Sequence, residues 1–225
     1  MNRKRTTPRF RLPYTTEQVY TMLLEACRVE VTSRHREFCE TQQFRQHIRN
    51  IAQWLTSNNA TFGLFLCGGA GNGKTTIIRA LQSLLNFLRS DESLSNSEYP
   101  ERGYIIISAK DLVLLAKAYN NPTRENSADV SRYKRLRNIE ILAIDDLGQE
   151  PKESIHYGDY ITAAMDIISH RYNEQLCTLV TSNLAPDEVS KHYDERIADR
   201  FREMMHIVNF GNDDSFRKLT QHSPQ

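Results

Sequence analysis

Five short runs of the sequence are rich in β-branched and other apolar residues with no helical spacing, at 64–67, 103–108, 139–146, 178–183 and 206–210. Longer stretches separate them, with apolar residues at every third or fourth place. A run that is apolar on both faces predicts a strand buried on two sides, and its alternation with helices predicts a parallel sheet covered on both faces. Val19, Met22, Leu23 and Ala26 share one helical face over 15–33. Phe44, Ile48, Ile51 and Leu55 fall at i, i+4, i+7 and i+11 inside a second predicted helix over 34–56. Further helices are predicted after the first strand (Ile77, Ile78, Leu81, Leu84, Leu85, Leu88), over 111–119, over a basic stretch at 130–137, over 157–172 and over 194–205. Asn58 and Asn59, and the polar stretches 90–102 and 120–128, read as breaks.

Between the first strand and its helix lies a glycine-rich turn in which Gly68, Gly73, Lys74 and Thr75 fit G-x-x-x-x-G-K-[ST], a Walker A loop. Backbone N–H groups can wrap a polyphosphate closely only where side chains are absent, hence Gly68, Gly69, Gly71 and Gly73. The helix start adds unpaired N–H groups and a positive dipole end. Gly68, Gly69, Ala70, Gly71, Asn72, Gly73, Lys74, Thr75 and Thr76 are therefore the candidate nucleotide-binding positions. Lys74 is expected on the phosphates and the Thr75 hydroxyl on Mg²⁺. A chance glycine turn is the weaker account, because the fixed positions sit in a strand–loop–helix context.

Asp145 and Asp146 close the third apolar run, at the edge where parallel sheets bind ligands. Asp145 is expected to hold the metal, and Asp146 to orient or deprotonate the attacking water. An Asp in the second place is one methylene shorter than a Glu, so slow hydrolysis is expected. Asn183 ends the next strand, where a neutral amide can hydrogen-bond the water or the terminal phosphate. Arg196 and Arg200 share a helix face at i, i+4. That helix is either a surface helix laced by Glu195, Asp199 and Glu203, or the carrier of an arginine finger, Arg200, reaching a neighbouring subunit.

Composition narrows the setting. With 225 residues, 39% of them apolar, the chain suits one core with short appendages. A net charge of +1 makes any basic, nucleic-acid-facing surface local. Residues 1–13 carry Arg3, Lys4, Arg5, Arg9 and Arg11 with no acid, read as a solvated tail or an arm toward phosphate. Cys27, Cys39, Cys67 and Cys177 lack metal or redox spacing and suit reduced thiols. The amino terminus has no apolar signal stretch, and a cytoplasmic protein without a membrane partner is expected.

With these motifs assembled, the sequence resembles the AAA+ ATPases, and within them the DnaC/DnaI-type helicase loaders and the related IstB-type transposition ATPases. The resemblance spans about 50–218. It is carried by Gly-Gly-Ala-Gly-Asn-Gly-Lys-Thr (68–75), Ile-Asp-Asp-Leu-Gly-Gln-Glu (144–150), Val-Thr-Ser-Asn-Leu (180–184), Glu-Arg-Ile-Ala-Asp-Arg-Phe (195–201) and Asp-Asp-Ser-Phe-Arg-Lys (213–218). It implies a three-layer αβα fold with a five-stranded parallel sheet in the order 5-1-4-3-2 and no C-terminal lid domain. The chain then divides into a basic tail and N-terminal helices (1–57), an ATPase core (58–218) and a C-terminal tail (219–225). The resemblance also implies sensor 1 at Asn183, the finger at Arg200 and a phosphate sensor at Arg217. The function it implies is an ATPase, slow and stimulated by partner or DNA, that loads a hexameric replicative helicase on single-stranded DNA and self-associates through Arg200. The alternative is an ATPase assisting the transposase of a mobile element. A small-molecule kinase fits less well, because Asp145, Asp146 and Asn183 suit water activation and no acceptor pocket is legible.

Overall fold

The computed structural model describes residues 9–58, 60–90, 104–148, 157–211 and 215–216, with the backbone alone at Ser90 and 157–164. The elements follow one another as α1 (Thr16–Thr32), α2 (Gln42–Thr56), β1 (Gly63–Cys67), α3 (Lys74–Ser90), β2 (Tyr104–Ser108), α4 (Ala109–Asn120), α5 (Ser127–Asn138), β3 (Ile141–Leu147), α6 (Tyr157–Asn173), β4 (Cys177–Ser182), a 3-10 turn (Pro186–Glu188), α7 (Val189–His192), α8 (Glu195–Met204) and β5 (Met205–Asn209).

The strands form one parallel sheet in the order β2-β3-β4-β1-β5, the expected order read from its other edge. Alternate residues of a strand face opposite sides, and the two faces build two apolar clusters. Leu64, Leu66, Ala143, Leu179 and Val208 meet α1, α2 and α3 on one side. Phe65, Cys67, Leu142, Ile144 and Val180 meet α4, α5, α6, α7 and α8 on the other. The register sets the strand ends level, with Cys67 beside both Ser182 and Asn209, and Ser108 beside Asp145. Every candidate catalytic side chain on the sheet therefore issues from one edge.

The N-terminal helices belong to the first layer: Val19, Leu23 and Cys27 of α1 and Phe44, Ile48 and Ile51 of α2 share one cluster with Ile77 and Leu81 of α3. The expected helix over 34–56 begins only at Gln42. His35 takes a left-handed φ of 56°, and Thr41 caps α2 by accepting the Phe44 N–H at 3.1 Å. Residues 34–41 offer only Phe38 and Cys39 to bury, Phe38 against Phe44, while Glu40 pairs with Arg28 and Arg45. The 3-10 turn and α7 were not legible, being too short to show a period. Arg11 is no solvated tail residue: it donates to the carbonyls of Ser57 and Thr61 and lies over the Trp54 ring at 5.1 Å.

Arg171, at the end of α6, is 0% exposed and has no carboxylate partner among the described residues. It donates instead to Leu136 O (3.0 Å), Ile139 O (2.9 Å), Cys177 O (2.6 Å) and Thr178 Oγ1 (2.8 Å), tying the end of α5 to the starts of β3 and β4. Burial pulls its pKa down to about 10, which leaves it charged at neutral pH. Cys27, Cys67 and Cys177 are buried free thiols; burial pushes Cys67 and Cys177 up to about 12. Among the described residues no helix is long and apolar enough to cross a membrane.

Candidate functional site

The site grows from the end of β1. Phe210 N–H donates to Cys67 O at 2.8 Å and Gly69 N–H to Gly211 O at 2.9 Å, so the chain leaving β5 runs beside the loop. That closeness needs a glycine. Gly68 has φ 120°, and a Cβ there would lie 2.8 Å from Gly211 N. Gly73 O accepts the first α3 bond, from Ile77 N–H, which leaves the amides of Lys74, Thr75 and Thr76 ahead of the helical ladder. Phe44 of α2 and Phe216 flank Gly73, with ring centroids 5.6 Å apart, and Phe216 N–H donates to Gly71 O.

Lys74, 5% exposed, donates from Nζ to Gly68 O (2.7 Å) and Gly69 O (2.6 Å). Burial lowers its pKa; Asp146, Cys67 and Asp145 oppose that shift. Asn72 is 1% exposed, and neither atom of its side-chain amide has a hydrogen-bond partner among the described residues. Buried polar atoms without partners cost free energy and mark places where a bound group can complete them. Together with the open amides of α3 and a buried ammonium, the loop fits a phosphate-bearing ligand.

The metal-ligand candidates meet directly: Thr75 Oγ1 donates to Asp145 Oδ1 at 2.9 Å. Thr181 Oγ1 donates to the same oxygen at 2.6 Å and accepts the Asp146 N–H at 2.9 Å. Asp145 is 9% exposed, whereas Asp146 is exposed and left-handed, with φ 60°. One hydroxyl and one carboxylate suit Mg²⁺, which keeps waters and takes its other ligands from substrate phosphates. The described residues hold no cluster of three or more His, Cys, Asp or Glu side chains suited to another metal. Just beyond, Gly148 turns the chain with φ 87°; a Cβ there would lie 2.5 Å from Leu184 Cδ1.

Asn183, half-buried, follows directly on β4 at this edge. A polar cleft of about 390 Å³ opens at Asp145, lined also by Ser108, Asp111, Arg79 and Glu30. Arg200 lies farther off, on α8, donating to Ser169 Oγ and set 5.5 Å over the Tyr172 ring of its own subunit. Arg196 is exposed. Arg217, and Gln149 and Glu150 of the carboxylate motif, lie outside the described residues. Nothing in the local sequence singles out Thr181; only its register opposite Asp145 and Asp146 brings it out.

A phosphate loop after β1, a carboxylate at the end of β3 and the order β2-β3-β4-β1-β5 define the fold of the AAA+ P-loop NTPases. The chain is similar to helicase loaders of the DnaC/DnaI type. The replicative helicase loader DnaI of Bacillus subtilis (strain 168) is 24% identical over 148 residues, 66% of this chain. The chain spans only 42% of that relative. The crystal structure of the DnaC helicase loader superposes with a TM-score of 0.57 at 19% identity, covering 77% of this chain and 93% of that one. A replication initiator DnaA bound to AMPPCP and single-stranded DNA superposes at 0.55 with 18% identity, covering 80% of this chain and 50% of that one. No protein-family model matches the sequence.

Proposed function

We propose that this chain binds and hydrolyses ATP with Mg²⁺ and uses that cycle to load or remodel a hexameric replicative helicase on single-stranded DNA, in the cytoplasm. The observation that supports the ATP chemistry is the Thr75–Asp145 hydrogen bond, which brings together a hydroxyl and a carboxylate from motifs 70 residues apart, a pair suited to Mg²⁺. The sequence likeness to the Bacillus subtilis loader supports the choice of partner.

In this reading the loop amides and the start of α3 hold the phosphates, and the Lys74 ammonium balances their charge. Thr75 and Asp145 hold the metal, which when bound polarises the phosphoryl oxygens as a Lewis acid. Asp146, exposed at the sheet edge, orients the attacking water and takes its proton; Asn183 fixes the water or the terminal phosphate. Arg200 acts in trans. Its guanidinium leaves Ser169 and Tyr172 when a second subunit docks and meets the charge that develops on that subunit's phosphate. Coupling turnover to assembly in this way makes the isolated chain a slow ATPase.

The test is co-elution with the replicative helicase of the same host on a sizing column, with ATP, with ADP and with Lys74→Ala. A complex whose stability depends on nucleotide, and loses that dependence in Lys74→Ala, is expected. No complex in any state overturns the loader reading; binding to a transposase and duplex DNA would then replace it.

A further inference from the structure

Thr181 is 0% exposed and lies opposite both carboxylate residues of β3. The ladder between β3 and β4 is regular up to Ile144–Val180 and resumes at Leu147–Ser182. Asp145 and Asp146 thus face Thr181 alone, two residues against one, which is a β-bulge. The extra residue of a bulge stands outside the regular register, and here that residue, Asp146, is left-handed with φ 60°, an uncommon state for anything but glycine. The Thr181 hydroxyl bonds to both residues of the bulge. It accepts the Asp146 N–H at 2.9 Å and commits its one proton to Asp145 Oδ1 at 2.6 Å. The same carboxylate oxygen receives Thr75 at 2.9 Å.

We infer that Thr181 is a positioning residue for the hydrolysis proposed above: its hydroxyl holds the bulge that presents Asp146 at the sheet edge and aims the Asp145 carboxylate at Thr75. The inference rests on that ATPase reading for its consequence, though its geometry does not. Without the hydroxyl, the Asp146 amide loses the acceptor it has in Thr181, and the left-handed turn loses that support. A strand that reverts to regular register turns its side chains to the opposite face, which would carry the Asp146 carboxylate away from the loop. Thr181 touches neither phosphate nor water in this account; it acts through its two neighbours.

The experiment compares Thr181→Val, which keeps the shape and removes both hydrogen bonds, with Thr181→Ser, which keeps them. The first readout is amide hydrogen exchange at Asp146 in nucleotide-free protein. Protection is expected in the parent and in Thr181→Ser, and lost in Thr181→Val. The second is an Mg²⁺ titration of ATP-analogue binding together with ATP turnover. Thr181→Val is expected to lose about 10–100-fold in Mg²⁺ affinity or kcat, with metal-free nucleotide affinity unchanged and Thr181→Ser close to the parent. A Thr181→Val protein that retains Asp146 protection, or the parent's Mg²⁺ dependence and kcat, overturns the inference. If the valine variant does not fold, Thr181→Cys, a weak hydrogen-bonding group of similar size, takes its place against Thr181→Ser. If the parent binds no nucleotide at all, the ATPase reading falls, while the exchange measurement still decides whether Thr181 holds the bulge.

Discussion

Asp145 and Asp146 are neighbours in sequence with opposite surroundings. The first is buried, with two hydroxyls on one oxygen; the second is exposed in a left-handed turn. Asn tolerates that turn as well as Asp does, so Asp146→Asn removes the base while leaving the backbone in place. Steady-state turnover is expected to fall by about 10²–10⁴, with nucleotide affinity retained; an equal loss in binding would show that the residue is structural. Arg171 illustrates the other use of a buried charge. Arg171→Lys keeps the charge but cannot reach all the acceptors that the guanidinium fork serves. Leaving one or two of them unsatisfied costs about 2–4 kcal/mol, measurable as a lowered urea midpoint. Both carboxylates were legible from an apolar run that ends in acid. Arg171 was not, because a lone arginine in a helix pattern looks like any solvated one.

At the scale of elements, the strands were legible because each is apolar on both faces, and the helix positions because their apolar residues recur at helical spacing. Their ends depended on capping. Thr41 sets where α2 starts, and Thr41→Ala is expected to cost about 1 kcal/mol, read from thermal or urea unfolding. The loss should be felt at the site, because Phe44, the residue whose amide Thr41 accepts, packs against Gly73. A destabilisation with no change in nucleotide affinity would show that α2 supports the layer but not the loop. The bulge in β3 lies beyond reading from a pattern. The run at 139–146 is apolar whether or not its last residues stay in register, and only the facing strand reveals the extra residue.

Over the whole molecule, the N-terminal helices are tied to the far edge of the sheet, where His206 of β5 stacks on Trp54 of α2 and bonds Asn50 Oδ1 at 2.7 Å. Burial, then the nearby Arg11 charge, lowers the His206 pKa from its ordinary 6.5. Burial and Arg137 lower that of His170. Each folded value lies below the unfolded one, so as pH falls through 6.5 the unfolded chain takes up protons first and stability is lost from there downward. Urea unfolding is expected to show a lower free energy at pH 5 than at pH 7.5, and His206→Gln should flatten part of that slope; a profile that rises toward acid would contradict this.

The sequence by itself determined the order of strands and helices, the glycine loop and the carboxylates at a strand end, because each is written in spacing along a few consecutive residues. The strand order followed only when those motifs were matched to a known architecture. Tertiary structure alone decided the pairing of Thr75 with Asp145, the hold of Thr181 on the bulge, the buried fork of Arg171, the placing of Phe44 and Phe216 beside Gly73, and the resting contact of Arg200. These contacts join positions far apart in the chain. Their geometry is set by strand register and side-chain packing, which local periodicity leaves free.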